Sequence, residues 1–245
     1  MQRTLKPLLA ALALMLTSGA FAQEAAIRKA LAERLPNLPK IDEVSKSPIA
    51  GLYEVRYDGS EILYSDEKGD FILVNGAMVD TKTRTDLTQA RVDKLLAIDF
   101  DKLPLKDAMV IRQGSGTRRM AVFVDPNCGY CKRFERDLAA IKDVTIYTFL
   151  MPILGPDSNV KSRDIWCSKE PVQTWRAWML DGVTPAKTVK CDTAAIDRTL
   201  AFAQHQRITG TPAVFFTDGT RKPGALPGDQ VEKLLVAAAS KAAPK

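Results

Sequence analysis

The chain has 245 residues, 46% of them hydrophobic and 26% charged, a globular balance that allows two modest domains without dense disulfides or metals. Its formal charge of +6 comes from basic residues interleaved with acids along the whole chain. No Lys/Arg block with stacking aromatics occurs, so nucleic acid is not expected as a partner.

The first segment reads as an address rather than as structure. Arg3 and Lys6 form a positive head, Leu8 to Leu16 an apolar run, and Ala20-Phe21-Ala22 a small-x-small cleavage site. The run is shorter than the roughly 20 residues needed to span a bilayer. The expectation is a signal peptide over 1–22, a mature chain from Gln23, and an oxidising compartment. A retained anchor at a lipid surface is the alternative. No cysteine follows the cleavage site, which argues against a lipoprotein.

Ile27, Leu31 and Leu35 recur at fours, so Ala25 to Leu35 is expected as a short amphipathic helix stopped by Pro36. From Gly51 the period falls to two. Leu52–Tyr57, Ile62–Tyr64, Phe71–Val74 and Ala77–Val79 read as strands. Asp58-Gly59 and Asn75-Gly76 read as tight hairpin turns, because these pairs accept positive φ. This is a small antiparallel meander with one helix. It buries little apolar surface alone and leaves sheet edges unpaired, so pairing with a second copy is expected.

Leu87 to Ile98 reads as a connecting helix. Beyond it, Ala108–Arg112 and Met120–Val124 read as two strands of a hairpin about Gly114-Ser115-Gly116. A helix from the Cys128/Cys131 pair through Ala140 follows, then a strand over Thr145–Met151. Helices over Val160–Lys169, Val172–Leu180 and Ala194–Gln206 precede a strand at Ala213–Thr217 and a terminal helix over Val231–Lys241. The order is that of a thioredoxin-like domain with a helical insertion. The predicted class is α+β. It has an N-terminal domain over 23–84, a linker helix and hinge over 85–106, and a thioredoxin-like domain over 107–245.

There are four cysteines, an even number that fits disulfide use in an exported chain. Cys128 follows a strand and the turn Asp125-Pro126-Asn127, so it sits at a helix start. The unpaired N–H groups there favour a thiolate, and such cysteines titrate at about 3.5–7.5. The thiolate is the species that attacks disulfides. Cys131 lies in the same first turn, placed to close a ring onto Cys128. Half of a zinc site is a competing reading of C-x-x-C, but the chain has one histidine, His205, expected on a helix surface. No metal and no cofactor is expected. Cys167 and Cys191 lack the helix-start context. A bridge between them closes about 25 residues and stabilises by roughly 3–4 kcal/mol on a loop-entropy account. Such a bridge is read as structural, with a second redox relay as the alternative. Gly210-Thr211-Pro212-Ala213 stands just before an apolar strand. A cis bond there would leave the backbone of Thr211 free to pair with an extended substrate.

With these residues the chain resembles the DsbC type of periplasmic disulfide isomerase. The resemblance spans Phe123 to Cys131, Ile165-Trp166-Cys167, Thr209 to Ala213, Asp218-Gly219-Thr220 and Pro223-Gly224. It implies a homodimer built on the N-terminal domain, and a cis bond before Pro212. It implies a Cys128/Cys131 pair kept reduced by a membrane thiol reductase of the DsbD type, and a structural Cys167–Cys191 disulfide. Misfolded exported proteins would be the substrates, held by Gly129, Tyr130, Thr211 and Pro212. Two departures stand out. Lys132 occupies the place of the family's histidine, and Val122 the place of thioredoxin's buried acid. Rival functions are a DsbA-type oxidase, a DsbG-type reductant of single cysteines, and a holdase chaperone.

Overall fold

The computed structural model describes residues 22–188 and 190–242, and all but the last residue of the expected signal peptide lie outside them. The chain forms two compact units that divide between Leu95 and Leu96.

In the first unit, residues 22–34 form helix α1. Strands β1 (Ile41–Lys46), β2 (Leu52–Tyr57), β3 (Glu61–Asp66) and β4 (Ile72–Val74) follow as an antiparallel sheet in that order. Ile27 and Leu31 of α1 pack on Val44, Val55 and Leu63 from one face of this sheet. Gly69 in the β3–β4 turn has φ +66°, and a Cβ there would meet the Ala30 side chain at 2.9 Å. Glycine is what lets the turn lie against α1.

The expected hairpin at Asp58-Gly59 forms, with both residues at positive φ. The hairpin at Asn75-Gly76 does not. Gly76 stays out of the positive-φ region, and the next strand, β5 (Val79–Asp80), pairs with β6 (Thr85–Asp86). β1 was not anticipated, because Asp42 and Glu43 interrupt its alternation and Val44 alone is buried. Helix α2 (Leu87–Leu95) buries no residue. It is held to the sheet by polar contacts: Thr88 Oγ1 lies 2.5 Å from the Tyr64 hydroxyl, and Arg91 bonds Glu54 and Glu43 at 3.0 and 2.8 Å.

The second unit is a five-stranded mixed sheet in the order β11-β10-β8-β9-β7. These are β7 (Met109–Gln113), β8 (Arg118–Val124), β9 (Val144–Leu150), β10 (Ala213–Phe216) and β11 (Arg221–Pro223). β8 and β9 are parallel and the other pairings antiparallel. The expected β7–β8 hairpin is therefore corrected: β9 lies between them. The Gly114–Gly116 segment wraps the start of β9, where Asp143 Oδ1 accepts from Ser115 N at 2.8 Å and Asp143 O from Arg118 N at 3.1 Å. Glycine at a turn reports a reversal of the chain, not which strand it will meet.

Alternate residues of β8 serve two cores, as the period of a strand requires. Met120, Val122 and Val124 pack with α3 (Gly129–Ala139), α5 (Pro171–Asp181) and α7 (Gly228–Ala242). Ala121 and Phe123 pack with Phe100, Leu103 and Ala203, the last on α6 (Ala194–His205). Together with α4 (Pro156–Trp166), helices α5 and α6 form the insertion between β9 and β10. Ile98 does not extend α2 but is buried in the second core. Among the described residues no helix is long and apolar enough to cross a membrane.

Candidate active site

Strand β8 ends in Asp125-Pro126-Asn127, and the turn delivers Cys128 to the N-cap of α3. Cys128 is extended there (φ −75°, ψ 115°), and its Sγ accepts from the Cys131 amide at 3.4 Å. This is an orphan donor of the first helical turn meeting a sulfur that takes the cap's role. From the other side the Cys128 thiol reaches the carbonyl of Thr211 at 3.3 Å, and the Thr211–Pro212 bond is cis. Two segments far apart in sequence thus converge on one sulfur.

Cys128 and Cys131 are unbonded, with 5% and 2% of their surfaces exposed. Cys128 is thus less open than a reactive sulfur read from sequence suggests. Gly129 is exposed and no atom crowds the place of its missing Cβ, so the approach over the first turn is open. Tyr130 is 66% exposed beside it. Cys131 points inward among Phe134, Leu138 and Trp175 of the core. Burial pushes its thiol well above the usual range, opposed in part by the backbone of Asp125 and by Thr211.

Three site residues escaped the sequence reading. Asp125 is fully buried, and its carboxylate accepts four bonds. Asn127 N and Ser158 Oγ donate to Oδ1 at 2.7 and 2.8 Å, and Ile153 N and Leu154 N to Oδ2 at 2.8 and 3.0 Å. Glu135, one turn after Cys131, is buried and accepts from Trp175 Nε1 at 3.2 Å; burial raises its carboxyl. Trp178 donates to Pro126 O at 2.6 Å, and Lys132 and Lys161 stand over its ring at 3.8 and 4.9 Å. Lys132, the departure noted above, thus rests on an indole.

Cys167 and Cys191 are joined in a disulfide with Cα atoms 5.7 Å apart. Cys167 caps the C-terminus of α4 rather than lying inside a helix. With these two sulfurs bonded to each other, they are not free to complete a four-sulfur zinc site with Cys128 and Cys131. His205 is exposed at the end of α6.

Residues 18–89 match the family described as the disulfide bond isomerase protein N-terminal domain, and residues 105–239 match the thioredoxin-like domain. The chain is 43% identical over 213 residues to a Bordetella pertussis protein named for thiol:disulfide interchange and DsbC, covering 87% of this chain and 74% of that one. It is 27% identical to the Escherichia coli K12 thiol:disulfide interchange protein DsbC, over 87% of this chain and 88% of that one. A crystal structure of a disulfide interchange protein from Neisseria gonorrhoeae aligns with 56% of this chain and 98% of that one, at a TM-score of 0.53 and 33% identity. A cysteine pair at a helix start beneath a cis-proline loop, on a thioredoxin-like sheet that follows a separate antiparallel unit, makes the chain a member of the DsbC family of thiol:disulfide interchange proteins, with the disulfide isomerase activity of that family.

Proposed function

We propose that Cys128 is the attacking sulfur and Cys131 the resolving one. The observation that carries this is their unequal placement on α3: Cys128 caps the helix facing Thr211, and Cys131 is turned into the core. The Cys128 thiolate attacks one sulfur of a substrate disulfide. A Cys128–substrate bond forms, the substrate bond breaks, and the other substrate sulfur leaves as a thiolate. Another substrate thiolate then attacks the mixed disulfide, forms a new pairing and returns Cys128 reduced, with no net electron transfer. If none arrives, Cys131 attacks instead. The substrate then leaves reduced by two electrons and the pair leaves oxidised, to be reduced again by a membrane thiol reductase of the DsbD type. Gly129, Tyr130, Thr211 and Pro212 line the approach and hold the extended chain.

The substrates are misfolded exported proteins in the periplasm, reached after removal of the N-terminal leader. Cys167–Cys191 has a structural role, tying the segment before α6 to the end of α4. A homodimer through the first unit is supported by its open β4 edge, where Phe71, Leu73 and Val74 are exposed. Sedimentation showing a monomer at micromolar concentration would count against the dimer. Cys128→Ala should abolish refolding of a scrambled multi-disulfide protein, and Cys131→Ala should accumulate mixed disulfides. Retained activity in the first variant overturns the assignment. Substrates trapped on the second separate isomerisation from a DsbG-type reduction of single cysteines. A holdase role predicts suppressed aggregation without either sulfur.

A further inference from the structure

The start of α3 carries Lys132 and Arg133 and has no acid in its first turn. Each cation stands over an aromatic ring. Lys132 Nζ is 3.8 Å from the centre of the Trp178 indole, and Arg133 Cζ is 5.7 Å from the centre of the Tyr130 ring. The indole is itself bonded to the active-site turn, through Nε1 to Pro126 O at 2.6 Å, and Lys132 N donates to Cys128 O at 3.1 Å. Among the described residues no carboxylate lies within salt-bridge distance of either cation. Asp137, one turn beyond Arg133, stays apart from it, and Asp157 is taken up by Lys161 and Asn127. The buried acids Asp125 and Glu135 take their bonds from other groups. By contrast Arg28, Arg56 and Arg91 of the first unit all have carboxylate partners. A ring holds a cation in place without neutralising its charge, and the N-terminus of the helix adds positive potential of its own. The charge on Lys132 and Arg133 is therefore fixed in position and left over for an anion from outside.

The reaction says which anion needs it. A thiolate comes in and a thiolate leaves, so negative charge gathers on the reacting sulfurs. Carboxylates beside a substrate disulfide repel both and slow attack at such places. We propose that Lys132 and Arg133 form a cationic rim that pairs with acidic side chains flanking the reacting cysteine of a substrate chain and so offsets this repulsion. Disulfides in acidic segments then stay within reach of Cys128. Pairing of this kind acts on the rate of productive encounter and is screened by salt, since both cations are reached from water. This inference rests on Cys128 being the attacking sulfur.

The test compares two symmetric disulfide dimers of a single-cysteine peptide, one with glutamate on both sides of the cysteine and one with glutamine. Each is reacted at low ionic strength with the full-length reduced protein. Cys128 takes one peptide in a mixed disulfide, the other leaves as a thiolate, and the site of attachment is mapped by mass spectrometry. The quantity read is the ratio of the second-order rate for the glutamate peptide to that for the glutamine peptide. Lys132→Gln/Arg133→Gln should lower this ratio roughly fivefold, as expected for the loss of two exposed ion pairs. Lys132→Arg/Arg133→Lys, which keeps both charges, should preserve it. Lys68→Gln/Lys82→Gln, which removes two exposed cations from the first unit, should preserve it too. At about 1 M salt, where charges are screened beyond about 3 Å, the unaltered protein and the neutral variant should converge. The ratio is insensitive to a loss of folded protein, which lowers both rates alike. A ratio that survives in the neutral variant overturns the rim, as does an equal drop on removing Lys68 and Lys82, which would leave only the charge of the whole chain. A mixed disulfide formed elsewhere than Cys128 overturns the assignment of that sulfur itself.

Discussion

The inward placement of Cys131 has a thermodynamic signature that can be read without any substrate. The residue is 2% exposed, and burial holds the pKa of its thiol well above the ordinary value. In the unfolded chain the same thiol titrates at about 8.5. Above that pH the unfolded state gives up a proton that the folded state keeps, so stability falls as pH rises. The stability linked to this proton is fully present below the unfolded pKa and is lost progressively above it. The slope is about 1.4 kcal/mol per pH unit, and the loss reaches roughly 2 kcal/mol by pH 10. Cys131→Ala removes the term and leaves every other titrating group in place. All three tryptophans, Trp166, Trp175 and Trp178, belong to the second unit, so their fluorescence follows the unfolding of that unit. Urea titrations under reducing conditions, from pH 7 to pH 10, should show the stability of the unaltered protein minus that of the variant falling by about 2 kcal/mol. A difference that stays flat across this range would mean that Cys131 ionises in the folded chain near its ordinary value, and the argument from burial fails.

Other substitutions probe the same core. Glu135→Gln keeps an acceptor for Trp175 Nε1 and removes a carboxyl whose pKa burial raises. A raised carboxyl costs stability once pH exceeds the unfolded value of about 4.3, so the variant should be the more stable at pH 7 and lose that advantage below about pH 4; a variant weaker at pH 7 refutes this. Thr148 is buried on β9, and its Oγ1 has no hydrogen-bond partner among the described residues. Thr148→Val should therefore stabilise by about 1 kcal/mol in urea, and a loss would reveal an unseen partner. Phe123 stacks on Phe149 at 4.6 Å and meets Phe215 edge-on at 5.4 Å, so Phe123→Ala should cost about 3–5 kcal/mol, with a cost below about 1 kcal/mol ruling out this packing.

What the sequence revealed and what it hid divide along the range of the interactions. The helix start at Cys128 was legible because a strand, a turn and an amphipathic face lie within some twenty consecutive residues. The α+β order, the helical insertion and the proline before β10 were legible on the same local grounds. Pairing partners were not. Gly114-Ser115-Gly116 and Asn75-Gly76 both carry turn chemistry, yet β7 pairs with β9 and β5 with β6. Register is decided by which faces are buried together, and no turn dipeptide records that. Asp125 was read as a turn residue because three of its four donors, on Ile153, Leu154 and Ser158, stand about thirty residues downstream. Buried Glu135 and the indole beneath Lys132 were hidden likewise, since each becomes visible only when α5 is laid against α3 and the active-site turn.

The burial that marks Cys131 also bears on which outcome of the mixed disulfide prevails. On the roles proposed for Cys128 and Cys131, two sulfurs compete for it: a thiol of the substrate, exposed in an unfolded chain and ionising near its ordinary pKa, and Cys131, held protonated by the core. Attack requires the thiolate, so at neutral pH the competitor inside the protein is the more depleted of the two. Its advantage is proximity, since it lies one helical turn away. A protein whose second cysteine were exposed and ionised would release substrates reduced before a new pairing could form. With Cys131 protonated the mixed disulfide persists, the substrate searches among its own thiols, and release in reduced form becomes the slower path. Raising the pH narrows this gap, because the fraction of ionised Cys131 grows about tenfold per pH unit while substrate thiols saturate above about pH 8.5. The ratio of reduced to rearranged product should therefore climb between pH 8.5 and 10, measured by quenching with acid and separating the products. A ratio independent of pH would show that Cys131 does not act as the competing sulfur.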